Sequence, residues 1–274
     1  MLARASCVLL CAGAIHGQWV NYRVAGVPRG KDGKVNLSAP VPKLNGKPDL
    51  SGLWQTDFAP PGEIERLIPG IGINAVPGDN PTTFPKYFFD VTADAKPGDV
   101  KMSAEATRLM QQFQAEGESQ TNSVKCLPAG PPMTDLFPSP KRYVQTPSIL
   151  AILYEGDPSR QIHLDGRPLP VDPQPAWEGY SVGRWEGDTL VVETIGVNAH
   201  ATLDGMEHPR SAASKITERL HRRDYGHIDV QVRIDDPQFY SQPITFKYTQ
   251  TLVPDDDLLE WICLENEKDA AHLK

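Results

Sequence analysis

The stretch GRWEGDTLVVET, residues 183–194, decides the fold class that the sequence predicts. Gly and Asp at 187 and 188 form an accepted two-residue hairpin loop between two runs of strand-forming residues. That loop pairs Trp185 with Leu190 and Gly183 with Val192 on one apolar face. The other face is mixed and carries Tyr180, Val182, Arg184, Val191, Glu193 and Ile195. Since neither bulk water nor a dry core suits that mixture, we predict that this face lines a partly polar, ligand-sized cavity.

A second hairpin is predicted over residues 215–234, with the loop DYG at 224–226 and Gly in its left-handed position. A three-residue loop pairs Glu218 with Val232, so that the carboxylate points inward and needs a partner or a raised pKa. A two-residue loop would instead pair Glu218 with Arg233 as an ordinary cross-strand ion pair. We favour the first register because it gives the cleaner apolar alternation.

Strand-like runs separated by turn residues fill the rest of the chain from residue 142 onward. They cover residues 142–145, 149–155, 160–164, 179–186, 189–195, 215–223, 227–234, 244–252 and 258–264. Because no helical pattern separates them, they predict an all-β fold, an antiparallel meander closed into a lipocalin-like β-barrel over residues 118–274. The preceding chain is predicted as an extended, loop-rich segment at 18–102 that wraps the barrel, followed by one amphipathic helix at 103–117 with Ser103 as its N-cap.

The first 17 residues have the layout of a secretory signal peptide, with Arg4, an apolar run and small residues at 12–14. The run is too short to span a bilayer and no later run is longer, so we predict no membrane span and a secreted or periplasmic location. Removing this leader leaves Cys126 and Cys263 of four cysteines. In an oxidising compartment they are expected to form a disulfide worth on the order of 4 kcal/mol, the alternative being two buried free thiols.

The composition narrows the range of partners. The chain has 274 residues and a formal charge of −8, which makes nucleic acid an unlikely partner and leaves a small organic molecule as the expected one. The 39% of hydrophobic residues suffices for a core. G-x-S-x-G occurs as GYSVG at 179–183, but it lies inside a predicted strand and does not form the strand-to-helix elbow of the commonest hydrolases. The sequence has no H-E-x-x-H, glycine-rich phosphate loop or G-x-G-x-x-G before a helix, so the commonest zinc proteases and nucleotide-binding proteins are excluded. We expect no cofactor; the oligomeric state stays open.

Several polar and aromatic side chains are candidates for a site in this cavity. His163 and Asp165 alternate onto one face of a strand and could form an acid–base pair or ligate a metal ion, although a solvated strand end is the simpler interpretation. His200 and His208 lie in a polar loop that could line the barrel mouth. The predicted catalytic residues are Glu218, Glu193 and His163. The predicted ligand-binding residues are Tyr180, Arg184, Trp177, Glu178, Asp165, Arg167 and His200.

Three functions are compatible with these residues. The first is a binding barrel that holds an aromatic or sugar-like molecule in the partly polar cavity. The second is a cofactor-independent lyase, isomerase or hydrolase in which Glu218 or Glu193 is the acid or base, Arg184 steadies negative charge and His163 shuttles a proton. The third is an envelope protein with a packed interior whose loops dock on a partner.

Six motifs taken together resemble a family of secreted bacterial proteins over nearly the whole chain after the leader. They are PDLSGLW at 48–54, CLPAG at 126–130, HLDGRPLP at 163–170, GRWEGDTLVVET at 183–194, ITER at 216–219 and DDP at 235–237. The resemblance implies secretion and a shared architecture. The G-x-W at 52–54 also resembles that of lipocalins, from which the chain departs by its long loops and its size.

Overall fold

The computed structural model describes residues 23–69, 84–96, 98–116, 125–259 and 262–263. The predicted signal peptide at 1–17 lies outside these ranges. The described helices are α1 (Glu63–Leu67), α2 (Lys86–Phe89), α3 (Ala104–Glu116) and α4 (Met133–Leu136). The described strands are β1 (Lys43–Leu44), β2 (Lys47–Pro48), β3 (Gly52–Thr56), β4 (Lys141–Gln145), β5 (Ile149–Tyr154), β6 (Arg160–His163), β7 (Tyr180–Glu186), β8 (Thr189–Ile195), β9 (Lys215–Arg222), β10 (His227–Asp235) and β11 (Ile244–Leu252).

Nine strands, β3 to β11, form a closed barrel, which confirms the predicted all-β, lipocalin-like class. Each strand pairs with its neighbours in sequence, and β11 closes the ring on β3. The prediction of an entirely antiparallel meander is wrong at one pair, because β6 and β7 run parallel. A ring with an odd number of strands cannot alternate direction all the way round. The connection over residues 164–179 therefore returns the chain to the end of the barrel where β6 began.

Strand β3 lies inside the segment at 18–102 that was predicted only to wrap the barrel, so that prediction is wrong for these five residues. They pair with β11 on one side and β4 on the other. Trp54 is fully buried, and its indole N–H donates to the Leu50 carbonyl at 2.9 Å. A five-residue strand between proline- and glycine-rich stretches leaves little periodicity to detect. The predicted strand at 258–264 is also wrong over its described residues, 258–259 and 262–263.

Both predicted hairpin registers are confirmed. Trp185 pairs with Leu190 and Gly183 with Val192. Glu218 pairs with Val232 across the three-residue loop at 224–226, and its side chain is buried. The two-residue alternative, which pairs Glu218 with Arg233, is thereby excluded.

The mixed face of the first hairpin, however, lies on the outside of the barrel, contrary to prediction. The side chains of Arg184 and Glu193 are 55% and 22% exposed and pair with each other at 2.8 Å. Glu193 also forms an ion pair with Lys215. The register fixes which residues share a face, but it does not fix which face points inward. The inward face carries the small and apolar residues, including Gly183 and Val192.

The helix predicted at 103–117 is confirmed as α3. The Ser103 hydroxyl oxygen accepts the Ala106 N–H at 3.2 Å, as expected of an N-cap residue. Ala106 is fully buried, so the helix rests one face on the rest of the protein.

The two ends of the barrel carry different residues. At one end Arg222 lies over the Trp54 ring, with 4.8 Å between the guanidinium carbon and the ring centroid. At the other end the short helix α4 follows the cis peptide bond between Pro131 and Pro132 and places the buried Leu136 in the core. We call this second end the plug end.

Candidate functional site

Three buried charged side chains meet in the interior of the barrel, at the plug end. Arg160 enters from β6, Asp135 from α4 and Glu218 from β9. The Arg160 guanidinium is 2.8 Å from Asp135 Oδ2 and 3.2 Å from Glu218 Oε1, and it also donates to Glu218 Oε2. Since Arg160 is 1% exposed, this pairing is shielded from solvent. We call these three residues the charge cluster.

The remaining Arg160 donors are also used. They reach the hydroxyls of Ser181 at 3.3 Å and Thr194 at 2.9 Å, which bond each other at 2.8 Å. Burial raises the pKa of Glu218, and the Arg160 guanidinium opposes that shift by stabilising the carboxylate. A guanidinium with this many partners holds the barrel wall together, because its hydrogen bonds join β6 to side chains on β7, β8 and β9.

A buried lysine on β4 binds the same helix. Lys141 donates to the Asp135 carbonyl and to the Thr56 hydroxyl, the latter at 2.9 Å. Thr56 in turn donates to the Asp135 carbonyl at 2.7 Å. Burial lowers the pKa of Lys141 to about 8, although the Asp135 carboxylate acts in the opposite direction. Helix α4 is therefore anchored to β3, β4, β5 and β6 at one residue, Asp135.

A pocket of about 430 Å³ lies beside α4 at the plug end. Its wall is mainly apolar and is formed by Leu127, Pro128, Phe137, Pro140 and Leu259, with Cys126 and Cys263 at its edge. Thr134, Tyr154 and Asp157 contribute polar groups. We call this space the plug pocket. Its volume and its mixture of apolar walls with few polar groups are typical of sites for small organic molecules.

The hydroxyls of the plug pocket connect it to buried carboxyl groups. Tyr154 donates to Asp135 Oδ1 at 3.0 Å and so links the pocket to the charge cluster. Thr134 lies 3.5 Å from Glu178 Oε2, and both side chains are buried. Burial and the Asp135 carboxylate hold the pKa of Tyr154 well above its ordinary value, so the phenol stays protonated. Each hydroxyl that donates to a carboxyl group keeps lone pairs to accept a hydrogen bond from a ligand.

Two acidic side chains near the pocket titrate at higher pH than ordinary carboxyl groups. Burial raises the pKa of Asp157, although the Ala129 N–H bonds its carboxylate at 3.0 Å and lowers it. Burial raises the pKa of Glu178 to about 8, with Arg160 opposing the shift and Asp135 adding to it. Glu178 is 7% exposed, and its Oε1 has no hydrogen-bond partner among the described residues. Such a carboxyl group is mostly neutral near pH 7.

Cys126 and Cys263 face each other across the edge of the plug pocket. Their Cα atoms are 5.6 Å apart, in geometry compatible with a disulfide. The sequence separation is 137 residues, so the pair would join the segment before α4 to the segment that follows the last barrel strand.

The three predicted catalytic residues do not form one site. Glu218 is inside the barrel in the charge cluster, whereas Glu193 is outside and pairs with Arg184 and Lys215. His163 is half-buried and lies beside Tyr180, with 5.2 Å between the ring centroids. The barrel wall thus separates the groups, and the predicted roles of Arg184 as an anion stabiliser and of Glu193 as an acid or base in an inner cavity are wrong.

Most of the predicted ligand-binding residues do lie together, but in a groove on the outer wall. His163, Trp177, Glu178 and Tyr180 line a space of about 360 Å³ beside β6 and β7. At its margin Arg167 binds the Tyr180 hydroxyl at 3.4 Å and forms an ion pair with Asp165 at 2.6 Å. In contrast, His200 is exposed in the loop after β8 and lines neither this groove nor the plug pocket.

The site residues predicted from the sequence do not include Asp135, Lys141, Tyr154 and Arg160. One signal was available for Arg160, because strict alternation with the buried Ile162 places the two residues on the same face of β6. Asp135 offered no such signal, since it lies in a four-residue helix preceded by prolines. Its importance comes from contacts with residues that are distant in sequence.

Asp90, Asp204 and His208 form a second polar cluster, in which one ligand atom from each lies within 4.8 Å of the others. These residue types could hold a metal ion. However, Asp204 already accepts the N–H groups of Val91 at 2.8 Å and Met206 at 3.0 Å, and its Oδ2 lies 2.7 Å from His208 Nδ1. This pattern indicates that Asp204 ties the 198–214 loop to the chain that follows α2.

We expect the pairing of His208 with Asp204 to stabilise the protein at acidic pH. Burial alone would lower the pKa of His208, but the hydrogen bond and charge of Asp204 outweigh it and raise the pKa. A histidine whose folded pKa is raised adds stability below its unfolded pKa and loses that contribution as the pH rises through the folded value. In urea unfolding, His208→Gln should therefore cost about 2 kcal/mol at pH 5.5 and progressively less toward pH 9.

The control is His221→Gln, which changes an exposed histidine on the outside of β9. This variant should unfold like the parent across the same pH range. An equal loss for His208→Gln at pH 5.5 and pH 9 would contradict the charged pairing.

The chain matches no protein-family model, no curated protein and no solved structure. The resemblance to a family of secreted bacterial proteins therefore stays a prediction. Among the described residues, none of the helices combines the length and the apolar character that a membrane-spanning helix requires. The fold and the candidate site define a closed nine-stranded β-barrel of lipocalin-like class with a ligand-sized pocket at its plug end.

Proposed function

We propose that the protein binds a small, largely apolar organic molecule in the plug pocket. The observation that supports this most directly is the combination of an apolar wall with hydroxyls tied to buried carboxyl groups in a space of about 430 Å³. Leu127 and Leu259 in the wall are 41% and 47% exposed, and a bound apolar ligand would cover part of that surface. We therefore place the ligand in the plug pocket and not in the inner cavity predicted from Arg184 and Glu193.

The hydrogen bonds inside the pocket support one chemical class of ligand. Tyr154 donates to Asp135 and Thr134 to Glu178, so both hydroxyls offer lone pairs to the ligand. A ligand with one hydroxyl or amine donor on an aromatic or alicyclic frame matches this arrangement. A ligand with an anionic group does not, because the Asp135 carboxylate accepts the Tyr154 hydroxyl and Asp157 lines the same pocket.

We also propose that the protein acts outside the cytoplasm. Two features support this: the layout of residues 1–17 and the disulfide-compatible placement of Cys126 and Cys263. Structural disulfides persist in oxidising compartments.

The test uses 2-naphthol as the probe and isothermal titration calorimetry as the measurement. We expect a Kd of roughly 10–100 µM for a ligand of this size. Ala129→Phe should weaken binding about tenfold or more, because Ala129 lines the pocket and its backbone bond to Asp157 does not depend on its side chain. Tyr154→Phe should weaken 2-naphthol binding about fivefold through the lost acceptor.

Two controls make this test specific. Ala212→Phe introduces the same ring at an exposed alanine outside the pocket and should leave the Kd unchanged. For 2-methoxynaphthalene, which lacks the donor, Tyr154→Phe should have no effect. If folded Ala129→Phe binds 2-naphthol as tightly as the parent, the plug pocket is not the site.

A further inference from the structure

The groove on the outer wall is separate from the plug pocket and, apart from Glu178, is lined by side chains that the proposed function does not use. We define the β6–β7 groove as the space of about 360 Å³ bordered by Gln161, His163, Trp177, Glu178 and Tyr180. It lies next to the parallel pairing of β6 with β7, which joins only two residues of each strand. The two strands are thus hydrogen-bonded over a short length, and the groove lies in the barrel wall beside this pairing.

The turn that carries Trp177 and Glu178 is fixed by backbone hydrogen bonds. Ala176 donates to Gly196 at 2.9 Å and accepts from Gly179 at 3.1 Å and from Asn198 at 2.9 Å. Gly179 has a φ of +62°, and a Cβ there would lie 2.8 Å from the Ile195 carbonyl oxygen. Glycine therefore allows the turn to lie directly against β8. The groove is held in place without a ligand, which reduces the entropy that binding would cost.

The groove combines aromatic rings with neutral hydrogen-bonding groups. The rings of His163 and Tyr180 lie 5.2 Å apart at an angle of 37°, and the partly buried Trp177 packs against the core. Gln161 contributes an exposed amide at the same surface. Aromatic rings with a polar edge suit ligands that have both an apolar face and hydroxyl groups.

The charges around the groove balance. Arg167 is held by the Asp165 carboxylate through several hydrogen bonds, the shortest at 2.6 Å. Burial raises the pKa of Glu178 to about 8, so its carboxyl group is mostly neutral at pH 7. A strongly charged ligand would find no uncompensated partner among these residues. A neutral, polyhydroxylated ligand fits them.

We infer that the β6–β7 groove is a second binding site, for a neutral saccharide that stacks on Tyr180 and Trp177 and bonds Gln161 through its hydroxyls. This inference does not depend on a ligand in the plug pocket. A glycan bound in the groove would lie against the outside of the barrel and would leave the plug pocket accessible to its own ligand. The predicted ligand-binding residues Trp177, Glu178 and Tyr180 would then bind a ligand on the outer wall of the barrel.

The test titrates cellobiose into the full chain at pH 7 and follows binding by saturation-transfer difference NMR. We expect saturable binding with a Kd of roughly 1–10 mM, as for a small exposed site. Tyr180→Ala and Gln161→Ala should each weaken binding about fivefold, through the lost ring and the lost amide respectively. Phe58→Ala, which removes a 41% exposed ring outside the groove, should leave binding unchanged.

The two binding proposals can fail separately. Ala129→Phe should retain cellobiose binding, and Tyr180→Ala should retain 2-naphthol binding. Equal cellobiose affinity in the parent, Tyr180→Ala and Gln161→Ala, with all three folded by circular dichroism, would overturn the groove site. Absence of saturable cellobiose binding to the parent would overturn it as well.

Discussion

Replacing Arg160 with methionine should destabilise the protein by about 3–5 kcal/mol in urea unfolding at pH 7. Methionine preserves much of the length and removes the charge. Asp135 and Glu218 then remain buried without the guanidinium that each of them binds. The cost arises from this uncompensated pair of carboxylates more than from lost packing. Tryptophan fluorescence and circular dichroism should report the same lowered midpoint.

A charge-neutral variant and a surface control separate these causes. Arg160→Met combined with Asp135→Asn and Glu218→Gln should regain part of the loss, since no charge remains in the cluster but Lys141 loses the Asp135 carboxylate that favours its charged form. Arg184→Met removes an arginine that is 55% exposed and should change stability by less than about 0.5 kcal/mol. If Arg160→Met and Arg184→Met unfold at the same urea concentration, the charge cluster does not stabilise the fold.

The pH dependence of Arg160→Met should identify the carboxylates directly. Burial raises the pKa of Glu218, and in this variant no guanidinium opposes the shift. A carboxyl group whose folded pKa lies above its unfolded pKa reduces stability at high pH. The penalty shrinks once the pH falls below the folded pKa and is gone below the unfolded pKa. The stability deficit of Arg160→Met relative to the parent should therefore shrink between pH 7.5 and pH 5.

The fold was predictable where it depends on residues that are close together in the sequence. The hairpin at 183–194 combines a short loop with strict alternation, and its register follows from these alone. Strand β3 was not predictable in that way, because its five residues pair with strands that are distant in sequence at both edges. The parallel pair β6 and β7 depends on the number of strands in the ring, which no local pattern specifies.

The site was less predictable than the fold for the same reason. The inward direction of Glu218 followed from its apolar neighbours, but its partner Arg160 lies 58 residues away along the chain. Arg184 and Glu193 were assigned to the wrong face because a mixed strand face has two solutions. One is a polar cavity, and the other is an outer surface whose charges pair in solvent, as Arg184, Glu193 and Lys215 do. Which of the two applies depends on the closure of the barrel, which fixes the face that points inward.

Removing the pair Cys126 and Cys263 should cost about 4 kcal/mol of stability in the double variant Cys126→Ala/Cys263→Ala, measured by urea unfolding. A bridge between them closes a loop of 137 residues in sequence, so its absence enlarges the conformational freedom of the unfolded chain. A reducing agent, tris(2-carboxyethyl)phosphine, should lower the stability of the parent to that of the double variant and leave the double variant unchanged. If the reductant does not alter the parent, the two thiols are not joined, and the disulfide no longer supports an extracytoplasmic location.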